Sequence, residues 1–192
     1  MPLMRYARPA LPMRLCIAVR RALWCLLWML GAVPAGAAPL LLEDATPIHD
    51  AWPYVQVLSD PDRSIDADEA LRRLADFKPP ASPHAGMGFR NDALWFHLPV
   101  AVPPGASGRW VLEIDYALLN RTDVFVAREG RTEHVATMGS LLPFRDRPLG
   151  SRTPAVMLDL QPGQNTDILF RVDTRSSVIV PVKFLSPAAF HS

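Results

Sequence analysis

Apolar and polar residues alternate in short runs over most of the chain, and a period of two is that of a half-buried β-strand. Residues 109–116 place Trp110, Leu112, Ile114 and Tyr116 on one face and Glu113 and Asp115 on the other. Residues 155–160 set Val156, Leu158 and Leu160 against Met157 and Asp159. Pro162-Gly163 then turns the chain into residues 167–173, with Ile168, Phe170 and Val172 facing inward. Val178, Val180, Val182 and Phe184 repeat the pattern in a further strand. Weaker alternation predicts strands at 54–58, 94–100, 122–128 and 133–138, the last two joined by a hairpin at Glu129-Gly130. Only residues 66–76 read as helix: Asp66 caps it, Glu69 completes a capping box, and Ala70, Leu71 and Leu74 share a face. About eight strands and one short helix supply no crossovers for a parallel sheet. The predicted fold is all-β, an antiparallel β-sandwich or jelly roll.

Charge divides the chain in two. Residues 1–37 hold Arg5, Arg8, Arg14, Arg20 and Arg21 with no acid, then an apolar run over 22–33, then Pro34-Ala35-Gly36-Ala37. That order of basic, apolar and small residues is a signal peptide, and a run of 12 residues is short of the roughly 20 that span a bilayer. Export to the periplasm is therefore expected, with residues 38–192 as the mature domain. The whole chain has Lys+Arg 20 and Asp+Glu 19; without the leader's five arginines, the remaining 155 residues carry a formal charge of −4. Cys16 and Cys25, the 2 cysteines, leave with the leader, so no disulfide is expected and a packed core must hold the domain. A mildly acidic domain has no field for nucleic acid, and no nucleic-acid partner is expected.

Catalytic signatures are absent. The mature chain has no Gly-x-Ser-x-Gly elbow, no His-Glu-x-x-His helix, no phosphate loop and no cysteine nucleophile. His49, His84, His97, His134 and His191 lack the close spacing of metal ligands. Neither enzyme activity, nor a metal, nor a cofactor is expected. The order of several motifs does match a known module: Leu42-Glu43-Asp44; Leu94-Trp95-Phe96-His97-Leu98; Trp110 to Ile114 followed by residues 120–125; Gly139 and the Leu142 to Pro148 stretch; residues 156–163; Leu169 to Val172; and the strand over 177–184. Over about residues 40–190 the chain resembles the type 2 extracellular domain of bacterial seven-transmembrane receptors with diverse intracellular signalling modules. The resemblance implies a periplasmic, jelly-roll-like, carbohydrate-binding-like domain that senses a small ligand for a receptor. A membrane region would follow in full-length relatives, anchoring the domain. At the position of His97 family members tend to have arginine.

The longest stretch without strand character, 139–153, carries Arg145, Arg147 and Arg152 beside Phe144. Three guanidinium forks next to an aromatic ring are suited to a carboxylate or sulfate on a sugar or peptide. The plainer role is to pair with Asp146 or a strand acid and brace the loop. Trp95 is a further candidate for stacking on a sugar ring, although its neighbours suit a core place better; Trp110 reads as core and Trp52 as a freer aromatic. These residues make a ligand-sensing receptor ectodomain the first reading. A free periplasmic interaction or structural module is the second.

Overall fold

The computed structural model describes residues 38–192. The signal peptide expected at 1–37 lies outside the described residues. Twelve strands run in chain order: β1 Leu40–Leu41, β2 Ile48–Asp50, β3 Gln56–Asp60, β4 Gly86–Gly88, β5 Ala93–Ala101, β6 Arg109–Ile114, β7 Arg121–Arg128, β8 Arg131–Met138, β9 Ala155–Asp159, β10 Asn165–Asp173, β11 Val178–Ile179 and β12 Val182–Leu185. Two short helices, α1 Ala67–Arg72 and α2 Pro187–Phe190, accompany them. One sheet has the order β1-β5-β10-β7-β8, with β3 also on β5, the facing one is β2-β12-β6-β9, and β4 and β11 form a separate two-stranded sheet. All pairings are antiparallel except the short β1–β5 contact.

The alternating side chains meet between the sheets. Leu94, Phe96 and Leu98 of β5 and Ile168, Phe170 and Val172 of β10 pack on Trp110, Leu112, Val156, Leu158, Val182 and Phe184. Phe96 stacks on Phe170 with centroids 4.8 Å apart. The other face of the first sheet is also covered. There Trp95, Leu169 and Phe125 pack under Ile65, Ala70, Leu71, Leu74 and Phe77 of the α1 segment. A third, smaller core sets Val111, Ala155 and Leu185 against Ala189 and Phe190 of α2. The described residues of all three cores lie within one compact unit, Ala37–Ser192, of ordinary domain size.

Local chemistry explains most boundaries. Asp66 caps α1 by accepting from Glu69 N at 2.7 Å, but Glu69 turns to Arg73 instead of closing the capping box. The predicted helix over 66–76 is thus an α-helix to Arg72 followed by a 3-10 turn over Leu74–Asp76. Asp68 ties α1 to the edge strand β8, accepting from both the hydroxyl and the N–H of Thr132. Those two bonds hold its carboxyl below the usual range. Glu129 and Gly130 both have positive φ, 52° and 75°, as a two-residue hairpin turn requires. The strand predicted over 178–184 is two strands, because Pro181 offers no N–H and the chain changes sheets there.

Strand direction sorts the loops to two ends. The Glu129-Gly130 turn, the β9–β10 turn and the start of β6 share one end, where Arg128 donates to Asp159 O at 3.0 Å. Residues 115–120, 139–154 and 174–177 share the other, where Ser140 N donates to Leu119 O and Ser176 to Leu118 O.

Candidate functional site

The arginine loop is built from a close approach. Gly139, with φ 130°, lets the chain pass so near Asn120 that a Cβ there would lie 2.4 Å from Asn120 O. Beyond it, Phe144–Asp146 forms a 3-10 turn. Arg147 folds back over the loop, donating from Nε to Leu142 O at 3.4 Å and from Nη1 to Ser151 O at 3.0 Å and Arg152 O at 3.3 Å. Its guanidinium also sits 5.6 Å from the Phe144 ring centroid. Arg147 is therefore a brace, through backbone carbonyls and not through Asp146. Arg145 reaches Asp146 at 3.6 Å and is 85% exposed, and Arg152 points to solvent. The hollow beneath the loop measures ≈ 10 Å³, space for about one water molecule.

Phe144, Arg145, Arg147 and Arg152 are thus brought together, and Trp95 is not among them. Trp95 is 1% exposed in the core under α1, against Phe125 at 5.6 Å, so neither face of its indole is free for a sugar ring. Its stacking role is corrected by the α1 cover, which buries the second face of β5. Trp52 is likewise buried, in a 3-10 turn packed into the main core. Trp110 is core, with its indole N–H given to Ser107 O at 3.0 Å.

A cleft large enough for a ligand lies at the opposite end. It has a volume of ≈ 550 Å³ and is lined by Arg128, Glu129, Asp159, Gln161, Gln164, Asn165 and Thr166 with their neighbours. Two of its three charged side chains are matched, and Glu129 takes part in none of the ion pairs among the described residues. Arg128 pairs with Glu133 at 3.0 Å and Asp159 with Arg109 at 3.6 Å. The amides of Gln161, Gln164 and Asn165 take part in none of the side-chain hydrogen bonds among the described residues and stand free at the rim. Sequence reading missed this cleft because its lining comes from three separate segments. The only local signal was the polar run Gln161 to Thr166 between two apolar strands.

Buried and paired charges lie on the outer face of the first sheet. Asp60, 1% exposed, accepts from Ser64 N at 3.0 Å and Ile65 N at 3.3 Å and faces Arg171 at 3.9 Å. Burial pushes the Asp123 carboxyl up, but Arg121 and Thr137 outweigh it and leave the group below its usual range. Arg90 holds Asp92 down to about 2, against some burial and with help from Ser59. Its folded-state value is depressed, so the Asp92 contribution to stability is complete above about pH 4 and is lost as pH falls through about 2. In Arg90→Ala, carboxyl NMR titration is expected to show Asp92 protonating at higher pH than in the parent protein. An unmoved titration would mean that Arg90 is not the cause.

A family model described as 7TMR-DISM extracellular 2 matches residues 52–186. The chain belongs to this family. It is a family of receptor extracellular sensor domains and not a catalytic one, and it implies extracellular placement. Among the described residues no helix is long and apolar enough to cross a membrane. No group of three or more His, Cys, Asp or Glu among them is placed to hold a metal ion. No curated protein sequence matches the chain. Similar solved structures include Ruminococcus gnavus β-glucuronidase, at TM-score 0.43 and 11% identity, over 69% of this chain and 27% of the enzyme. The same enzyme with C6-substituted uronic isofagomine gives TM-score 0.43 and 10% identity, over 80% and 31%. With D-glucaro 1,5-lactone it gives 0.40 and 12%, over 76% and 31%. The chain spans less than a third of these enzymes, and likenesses so distant say nothing of its ligand.

In this DISM extracellular domain His97 occupies the position that the resemblance assigns to arginine. It is 6% exposed, with Nε2 2.8 Å from Asp167 and Nδ1 3.2 Å from Gln56, and Phe77 edge-on at 5.8 Å. The side chain thus links β5 to β3 and β10. It is part of the covered face, away from both the cleft and the loop.

Proposed function

We propose that this domain is the ligand-sensing part of a bacterial membrane receptor, exported to the periplasm, and that it binds a small carbohydrate-like molecule in the ≈ 550 Å³ cleft without altering it. The observation that carries this reading is the free amide row of Gln161, Gln164 and Asn165, with Thr166, in a cleft where Arg128 and Asp159 are already paired. Amides and hydroxyls match the alternating donors and acceptors of a polyol, and the volume is that of ordinary small-molecule sites. Membership of a receptor ectodomain family supports a sensory role over a free structural module.

Calorimetric titration of residues 38–192 with neutral and acidic mono- and disaccharides tests it. At least one neutral sugar is expected to bind, and Gln164→Ala and Asn165→Ala to weaken it about three- to tenfold each, the worth of one net hydrogen bond. Absence of any binder, or undiminished affinity in both variants, would remove the cleft as the sensing site.

A further inference from the structure

The end of the sandwich opposite the cleft bears large apolar side chains that nothing among the described residues covers. Phe89 is 83% exposed, Leu141 73%, Leu118 60% and Phe144 59%. They stand on neighbouring loops. Leu141 N donates to Asn120 O at 3.2 Å, Ser176 Oγ donates to Leu118 O at 3.0 Å, and Gly88, just before Phe89, pairs with Val178 just after the 174–177 loop. Four exposed leucine and phenylalanine side chains on three neighbouring loop segments are more than the scattered surface residues that need no explanation.

Charge at this end runs against the rest of the domain. Residues 139–153 and 174–177 hold Arg145, Arg147, Arg152 and Arg175 against Asp146 alone, whereas residues 38–192 as a whole are acidic. The carboxylates bordering the tip are already engaged. Asp115 is on Lys183, Asp92 on Arg90, Asp123 on Arg121, and Asp173 on Arg63 and Arg171. Arg152 and Arg175 are exposed and take part in none of the ion pairs among the described residues. Like charge disfavours a second copy of this tip as the occupant. Apolar side chains ringed by unneutralised arginines match an interface that is apolar below and anionic at its surface.

We propose that this tip docks on a lipid bilayer bearing anionic headgroups. Phe89, Leu118, Leu141 and Phe144 enter the headgroup layer while Arg145, Arg152 and Arg175 meet phosphates. Arg147 contributes by holding the loop in shape through its three carbonyl bonds. The site is independent of the sugar cleft, which opens at the other end.

Flotation of residues 38–192 with vesicles tests the proposal. Binding is expected on phosphatidylcholine vesicles containing phosphatidylglycerol, weakening as salt rises, and little on phosphatidylcholine alone. The Arg145→Ala/Arg152→Ala double variant is expected to bind about twenty-fivefold more weakly, at about fivefold for each arginine near an anionic surface. Leu141→Ser/Phe144→Ser is expected to lose at least about tenfold through its apolar contacts. All four side chains are exposed, and an unchanged melting temperature confirms that the variants fold. Equal binding to both vesicle types, no binding to either, or full binding by both double variants overturns the proposal. So does concentration-dependent dimerisation abolished by the Leu141→Ser/Phe144→Ser change, which would assign the tip to a second copy. Because Gln164 and Asn165 are remote from the tip, their variants are expected to keep vesicle binding, so the two sites fail or succeed separately.

Discussion

Phe170→Ala is expected to lower the stability of residues 38–192 by about 3–5 kcal/mol, among the largest losses a single core truncation produces. Phe170 is fully buried at the centre of β10, between β5 and β7, and its ring lies parallel to Phe96 at 4.8 Å. Removing the ring loses the transfer energy of a large side chain and leaves a cavity that the flanking strands cannot close without breaking register. Phe96 loses its stacking partner as well. Urea unfolding would show the effect as a lower midpoint at unchanged slope, and thermal unfolding as a fall of roughly 10 °C for a domain of this size. A loss below about 1 kcal/mol would mean that the sheets repack around the gap, and that the two-sheet core is not tightly constrained at its centre.

Asp60→Ala is expected to cost about 2–4 kcal/mol, by a different route. The carboxylate accepts two backbone N–H groups, of Ser64 and Ile65, and so shapes the turn that leads into α1. Arg63 in that turn has φ 54°, a left-handed conformation costly for a residue with a side chain, and the two bonds help hold it. Without them two donors are left unpaired and Ile65 loosens from the core over Trp95. Hydrogen exchange separates this variant from the first. Amides over 66–76 are expected to lose protection well before those of β5 and β10, because α1 can lift while the main sandwich stays closed. Uniform loss of protection across the chain would show instead that the α1 cover and the sandwich unfold as one unit.

Strands with one buried face were readable. In β6, β9 and β10 alternate side chains enter the core, and their periodicity shows which ones. β5 alternates much less, since residues from Ala93 to Val100 are all buried, and that continuous burial is why Trp95 admitted two roles. The hairpin at Glu129-Gly130 was legible from turn chemistry, as was the Asp66 cap. The two- and three-residue strands β1, β2 and β4 are too short to carry a pattern, and the pairing of β4 depends on β11 alone. Trp52 shows the limit from the other side. Nothing local distinguishes a tryptophan in a loop from one that the loop folds inward.

The candidate sites divide in the same way. Arg145, Arg147 and Arg152 were legible as residues of one loop, because they are close in sequence. Their separate fates were not visible: Arg147 is spent on carbonyls, and the other two face solvent. The cleft of Gln161, Gln164, Asn165 and Thr166 was out of reach, since Arg128 and Asp159 join it only when β7 and β9 reach the same end of the sandwich.

Period-two alternation, turn residues and the scarcity of helix determined an all-β antiparallel sandwich, and motif order over most of the chain determined its family. These are properties of neighbouring residues and of their succession, so they survive without coordinates. Which strands carry a second buried face, where the free amides gather, and that the apolar loops share one end with the unpaired arginines were decided only by the tertiary structure. Each of those depends on residues far apart in the chain, and long-range contact is set by packing and not by local pattern.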